Sequence, residues 1–250
     1  MERLTAGRAP IVWRTATVRE IVADTARANT IVLDVPGWPG HLAGQHVDLR
    51  LTAEDGYQAE RSYSIASAPE SSGLSLTVEL FDDGEVSPYL VEELRAGDQF
   101  ELRGPIGGYF TWRVEDGGPL LLLAGGSGLV PLMSMLRHHA AVESTVPARL
   151  LVSARGLDNV LYRDELAALD GSGGIDVSYT LTREQPTGWA GFGRRVDADM
   201  LTAVGPSPSA QPRIYVCGPT AFVEHVADLL VELGHAPGTI RAERFGPTGE

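Results

Sequence analysis

The sequence predicts two domains, an antiparallel Greek-key β-barrel followed by an α/β domain with a parallel sheet. Three observations predict this. Residues from about 11 to 112 read as short, roughly alternating strands parted by turn chemistry such as Pro36-Gly37-Trp38-Pro39-Gly40 and Glu54-Asp55-Gly56. Past a hinge at Gly117-Gly118-Pro119, apolar strands alternate with longer helical patterns, as a parallel sheet requires. The first of those strands ends in Gly125-Gly126-Ser127-Gly128, a turn that lets the backbone approach a phosphate. The expected boundaries are 1–116 and 117–250.

In the first half, strands are expected over Thr15–Val22, Ala28–Asp34, His46–Leu51, Ser75–Phe81 and Gln99–Leu102, with a further alternating run that ends near Ser67. One helix interrupts them, Ser87–Leu94, with Ser87 as N-cap and Pro88 at the favoured first position. Asp83-Gly84-Glu85-Val86 precedes it, so its amides offer an anion site. The alternating run holds Arg61-Ser62-Tyr63-Ser64: extended geometry places Arg61 and Tyr63 on one face, Ser62 and Ser64 on the other. A guanidinium suits a phosphate and a tyrosine ring suits a flat heterocycle.

The second half opens with the apolar strand Leu120–Ala124, the glycine turn, and a helix over Leu132–His139. Pro131 stands where a dinucleotide fingerprint would have its third glycine. A nucleophile elbow around Ser127 fails because Leu129 replaces its final glycine. Strands are expected over Arg149–Ser153, Ile175–Leu181 and Arg213–Cys217, and helices over Val160–Leu169 and Thr220–Leu233. Cys217 closes a strand just before Gly218-Pro219, at the edge where open α/β sheets bind ligands.

Composition sets outer limits. Twenty basic against thirty-three acidic residues give a net charge of −13, which argues against nucleic acid or an anionic membrane as the main partner. A single cysteine excludes an internal disulfide and a cluster held by four cysteines of this chain. The eighteen charge-free residues from Pro119 to Leu136 are broken by glycines and Pro131, so a buried strand, turn and helix is expected there, with no stable membrane insertion. Met1–Pro10 has no apolar core, which speaks against a secretory leader and for the cytoplasm. The six histidines suggest no metal set, and adjacent His138 and His139 are expected on a helix surface.

Arg61-Ser62-Tyr63-Ser64, Gly84-Glu85-Val86-Ser87, the Gly126–Pro131 turn and Cys217-Gly218-Pro219 occur in the order of four motifs of the ferredoxin–NADP reductase family, which this chain resembles. The ordered set, with the C-terminal Glu243–Phe245 segment, spans residues 61 to 245. The resemblance implies an FAD-dependent oxidoreductase that takes electrons from NADPH or NADH and passes them to an acceptor such as a ferredoxin, oxygenase or cytochrome component. A free-flavin or small-acceptor reductase, or an electron-transfer or regulatory subunit without turnover, are the other expectations. The plant-type 2Fe-2S cluster fused in some relatives is not expected within this sequence, because its four cysteines are absent.

The resemblance also implies roles. Arg61 would bind the flavin phosphate, with Ser62 also among the cofactor-binding residues, Tyr63 would lie on the flavin ring, and Ser64 near its reacting nitrogen. Gly84, Val86 and Ser87 would hold the pyrophosphate, and Gly126, Ser127 and Gly128 the nicotinamide nucleotide. Cys217, Gly218 and Pro219 would flank the nicotinamide, with Glu243 beside it and Phe245 near the flavin ring. After the second strand of the nucleotide domain stands Ser153-Ala154-Arg155 rather than an acidic residue, which leans to NADPH, assisted by Arg163 and Arg183. Arg194-Arg195 and Arg241 with Arg244 are candidate docking charges for the acceptor.

Overall fold

The structure, a computed structural model, describes residues 11–246 of the chain. The expected absence of a leader at Met1–Pro10 and the final residues 247–250 lie outside it. Six strands build the first half: β1 (Trp13–Thr25), β2 (Ala28–Asp34), β3 (His46–Thr52), β4 (Gln58–Ser64), β5 (Leu74–Glu79) and β6 (Gln99–Ile106). They lie in the order β4-β3-β6-β1-β2-β5, and every neighbouring pair is antiparallel. Alternation does the work expected of it: Ile31 and Leu33 of β2 and Val47 and Leu49 of β3 are fully buried while their neighbours face outward. The barrel closes where Ile65 bridges Leu76 and the Ala66 N–H donates to the Ser75 carbonyl at 2.8 Å.

The helix expected over Ser87–Leu94 is a short turn, π-wound over Tyr89–Glu93. Ser87 does not cap it. Its hydroxyl oxygen instead accepts the Phe81 N–H at 3.1 Å, inside the tight loop that delivers the chain. Val86, Leu90 and Leu94, spaced by four, all enter the barrel core, and that shared burial decides where the turn sits. At five residues the turn is too short to add a helix dipole of the kind a longer helix would offer.

The second half consists of β7 (Leu120–Gly125), α1 (Leu129–Ala141), β8 (Ala148–Ala154), α2 (Arg163–Leu169), β9 (Ile175–Leu181), α3 (Ala198–Val204), β10 (Arg213–Pro219), α4 (Thr220–Glu232) and β11 (Ile240–Phe245). The sheet runs β11-β10-β7-β8-β9, wholly parallel. Leu120, Leu122 and Ala124 pack on the α1 side and Leu121 and Leu123 on the α3–α4 side, so β7 is apolar throughout. Among the described residues, no helix is long and apolar enough to cross a membrane.

Three expectations need correction. The helix expected from Val160 starts only at Arg163, because Val160 is extended, Val160 and Leu161 are buried, and Tyr162 turns the chain at φ 55°. Helix α3 was not foreseen, although Asp197 marks its start by accepting the Met200 N–H at 2.9 Å. The adjacent histidines are not surface residues. His139 is 1% exposed, stacks on Trp112 and hydrogen-bonds the Val146 carbonyl at 2.7 Å. His138 lies edge-on to the same indole and meets Glu70 at 2.9 Å. Trp112, from the connection between the halves, is the large buried surface that claims both rings.

The two halves meet along α1. The Ser134 hydroxyl donates to the Ser67 carbonyl and Arg137 Nη1 to the Ala66 carbonyl, each at 2.7 Å. Arg137 also forks onto Glu165 of α2 at 2.8 and 2.6 Å and lies over the Tyr162 ring. The buried Tyr162 hydroxyl reaches Thr77 of β5. Arg137→Met keeps the stem but strips the donors from Glu165 and Ala66, so stability should fall by roughly 2 kcal/mol. A lower urea midpoint at unchanged m would register that loss, whereas an unchanged midpoint would remove Arg137 from the seam's energetics.

Candidate active site

The strand order places the reversal of the sheet between β7 and β10, the position where open α/β sheets hold ligands beyond their carboxyl ends. The glycine turn leaves β7 there, and Cys217-Gly218 ends β10 beside it. Two glycines of the turn have different jobs. Gly126 holds φ 54° and a Cβ on it would meet nothing within 4 Å, so its backbone borders open space. Gly128 is buried, and a Cβ there would stand 2.0 Å from the Cys217 carbonyl oxygen. It allows the start of α1 to dock on β10 rather than allowing a ligand to approach. Pro131 fits the first turn of α1, where no intrahelical acceptor awaits its missing N–H.

Across the crevice stands the barrel. His46 of β3 pairs in register with Ser64 of β4, so their side chains share a face, and Ser64 is 9% exposed. His46 Nδ1 lies 3.9 Å from a carboxylate oxygen of Glu243 on β11. Glu243 in turn pairs in register with Cys217 of β10. Ser64, His46, Glu243 and Cys217 therefore form one line from the barrel into the parallel sheet. Burial lowers the His46 pKa, pushes the Glu243 carboxyl up to about 7, and raises the Cys217 thiol well above its usual range, with the Glu243 charge adding to the last effect. Glu243 Oε2 is buried without a hydrogen-bond partner. His46 was missed by sequence reasoning, which weighed histidines only as metal ligands. Its register opposite Ser64 was the available signal.

The other candidates fall into three groups. Tyr63 is half-buried on the same strand face as exposed Arg61, its phenol raised to about 12 by burial. Ser62 is not with them. It lies on the opposite face, where its hydroxyl donates to Asp48 at 2.6 Å within a charged ladder completed by Arg103 and Arg50 stacked on Trp13. In the Gly84–Ser87 loop, a Cβ on Gly84 would stand 2.6 Å from Ser87 Oγ, and the Val86 side chain is 1% exposed inside the barrel core. The side chains of Val86 and Ser87 thus hold the loop.

On the nucleotide side, Ser127 is half-buried in the turn and Ser153 sits level with Gly125 at the end of β8. Arg155 follows, exposed, and its carbonyl accepts the Arg183 and Glu184 N–H groups at 2.9 Å each, so the structure joins the backbones at Arg155 and Arg183, both exposed. Arg163 begins α2, exposed and near Asp158 and Asp164 at 3.8 and 3.9 Å. Gly218 packs against the Gly125 carbonyl and the Phe222 ring, and Pro219 pairs in register with Phe245, which is partly buried against the second core. Two docking candidates already have partners within the chain. Arg241 is turned inward, donating to the Thr111 carbonyl at 2.6 Å and the Tyr215 hydroxyl at 3.1 Å, and Arg194 is forked onto Asp197. Arg195 and Arg244 are exposed.

The residues fit a flavin and a nicotinamide nucleotide. Gly126 offers an unfilled backbone cradle, Tyr63 a half-buried ring, and Glu243 an unsatisfied buried polar atom. The Glu243 carboxyl also makes a measurable claim. From an ordinary value of 4.5, ionisation in the unfolded chain precedes ionisation in the fold, so stability is lost as pH rises from about 4.5 to about 7. Glu243→Gln, which stays neutral, should equal the parent near pH 4.5 and exceed it at pH 8.5 by at most roughly 3 kcal/mol. Urea midpoints at the two pH values test this, and equal midpoints at pH 8.5 would mean that the carboxylate is solvated.

Comparison with known proteins agrees with this geometry. The oxidoreductase FAD-binding domain family model matches residues 17–111 and the oxidoreductase NAD-binding domain model residues 122–228. Ferredoxin–NADP reductase B of Sorangium cellulosum is 35% identical over 81% of this chain and 84% of its own length. The glycine betaine monooxygenase reductase subunit of Pseudomonas aeruginosa is 30% identical over 82% of this chain. This chain spans only 56% of that relative and 61% of a Ralstonia dioxygenase-system reductase component. Among solved structures, the FAD/NAD-binding domain of Vibrio cholerae nitric oxide dioxygenase superposes with a TM-score of 0.83 at 24% identity, over 94% of this chain and 99% of that one, which shows a shared fold. With its antiparallel barrel, its parallel sheet and its matching FAD- and NAD-binding domains, the chain belongs to the ferredoxin–NADP reductase family.

Proposed function

We propose that the protein is an FAD-dependent NAD(P)H oxidoreductase that passes electrons through its flavin to a separate acceptor. The observation that carries this reading is the line Ser64–His46–Glu243–Cys217, which joins the barrel to the carboxyl edge of the parallel sheet at its reversal point. FAD, when bound, supplies acceptance of two electrons from a nicotinamide and their stepwise release to an acceptor. The chain's own share is placement and exclusion of water.

Arg61 would hold the flavin phosphate, and the loop backbone at Gly84–Ser87 the pyrophosphate. Tyr63 and Phe245 would wall the ring site, with Ser64 donating at its edge. The Gly126–Ser127 turn would hold the nicotinamide nucleotide. Glu243, poised near pH 7, would carry a proton on a carboxyl whose Oε1 lies 3.9 Å from His46 Nδ1. Cys217 is too strongly buried to ionise, so it would serve as a neutral wall beside the nicotinamide rather than as a nucleophile.

The exposed Arg155, with its backbone joined to that of exposed Arg183 and no acidic residue at Ser153, favours NADPH over NADH. Relatives named for oxygenase systems and for ferredoxin support an acceptor of the same kind: a ferredoxin, oxygenase or cytochrome component. The net charge of −13 requires any acidic acceptor to find a local basic spot, for which Arg195 and Arg244 stand exposed. We place the domain boundary at 116/117, between the end of β6 and the start of β7, and the protein in the cytoplasm, where a soluble nicotinamide pool is at hand.

Anaerobic titration with NADPH and then NADH tests the reading. Flavin absorbance near 450 nm should bleach, with NADPH the better donor (the flavin being the group that carries the redox chemistry). A yellow protein reduced by neither nucleotide would favour a subunit without turnover. Arg155→Ala should raise KM for NADPH roughly tenfold, the effect of a lost charge-assisted contact, and leave KM for NADH nearly unchanged. Equal effects on both would withdraw the preference for NADPH.

A further inference from the structure

Arg61 already has an anion. Its Nη2 donates to Glu85 Oε2 at 2.8 Å, and the Tyr57 hydroxyl donates to Glu85 Oε1. Its Nη1 donates to the Glu60 carbonyl at 2.7 Å. One oxygen of a carboxylate thus occupies an Arg61 donor that a phosphate would use, with the same sign of charge, while its other oxygen is held by Tyr57.

Glu85 is delivered there by a pinned loop. The Gly84 N–H donates to the Phe81 carbonyl at 2.8 Å, Ser87 holds the Phe81 N–H, and Val86 anchors the loop in the barrel core. Exposure decides what the pair is for. With Arg61 52% and Glu85 38% exposed, the ion pair contributes little to folding. The side chain at position 85 therefore weighs on whatever anion approaches Arg61 more than on the fold.

We propose that Glu85 is an internal competitor for the flavin phosphate and sets the flavin affinity of the protein. The proposal rests on the reading of Arg61 as the phosphate ligand. A phosphate brings more charge than a carboxylate and takes the guanidinium, but Glu85 then stands beside it as a like charge on a loop that cannot retreat far. The result is a flavin that exchanges with solution, and a penalty that salt screens because the pair is exposed.

The test compares the full-length protein, stripped of flavin, with Glu85→Gln and Glu85→Ala by quenching of flavin fluorescence. The probes are FAD, FMN and riboflavin at low and high salt. Both variants should bind FAD and FMN three- to tenfold more tightly than the parent at low salt and less so at high salt. Riboflavin, which has no phosphate, should show no difference. FAD bound equally well or more weakly by the variants overturns the proposal alone, as does an equal gain for riboflavin. No FAD binding by any of the three proteins overturns both the proposal and the flavin reading beneath it.

Discussion

Helix α1 is the constraint on which the rest depends. Its first turn follows the glycine loop that faces the nucleotide crevice, and its middle donates from Ser134 and Arg137 to the carbonyls of Ser67 and Ala66. Those carbonyls lie immediately after the Arg61–Ser64 run. One rigid helix therefore carries both candidate cofactor sites. A shift of α1 by a single turn would break two hydrogen bonds to buried backbone and separate the two sites by several ångströms. Gly128 sets the other end of the same constraint, since only a residue without a Cβ lets α1 begin against the Cys217 carbonyl.

Given that placement, the chemistry of the crevice follows from desolvation. Ser64, His46, Glu243 and Cys217 come from four strands of two sheets, and none has a bulk-water environment. Burial favours the neutral form of each ionisable member, so the Glu243 carboxyl titrates near 7, His46 is harder to protonate, and Cys217 stays a thiol. The line can hold or pass a proton at one carboxyl without building a charged nucleophile. That division suits a site whose redox chemistry belongs to bound cofactors.

The flavin end has the opposite physics. Arg61, Glu85 and Tyr57 stand in solvent, where ion pairs are weak and salt-sensitive. Affinity there is easily tuned by one loop residue, whereas the buried line tolerates little change. The buried line and the exposed Arg61–Glu85 pair thus differ in how strongly burial and solvent act on them.

The alternation of the barrel strands, the apolar run of β7, the glycine turn and the Cys217-Gly218-Pro219 stop were legible because each follows from local periodicity or from backbone freedom. Arg61, Tyr63, Ser64 and Cys217 could be named as candidates chiefly because their motifs resemble, in order, those of a known family. What the linear order could not state was which side chains meet across the two domains. Ser62 was drawn away by Asp48, Arg241 inward by Thr111 and Tyr215, and the paired histidines into the core by Trp112. Sequence by itself determined the two kinds of sheet and the motifs at their edges, since hydrogen-bonding pattern and hydrophobic period are properties of neighbouring residues. Only the tertiary structure decided that His46 faces Glu243 and that Glu85 occupies Arg61, because such pairings depend on register and docking between segments distant in the chain.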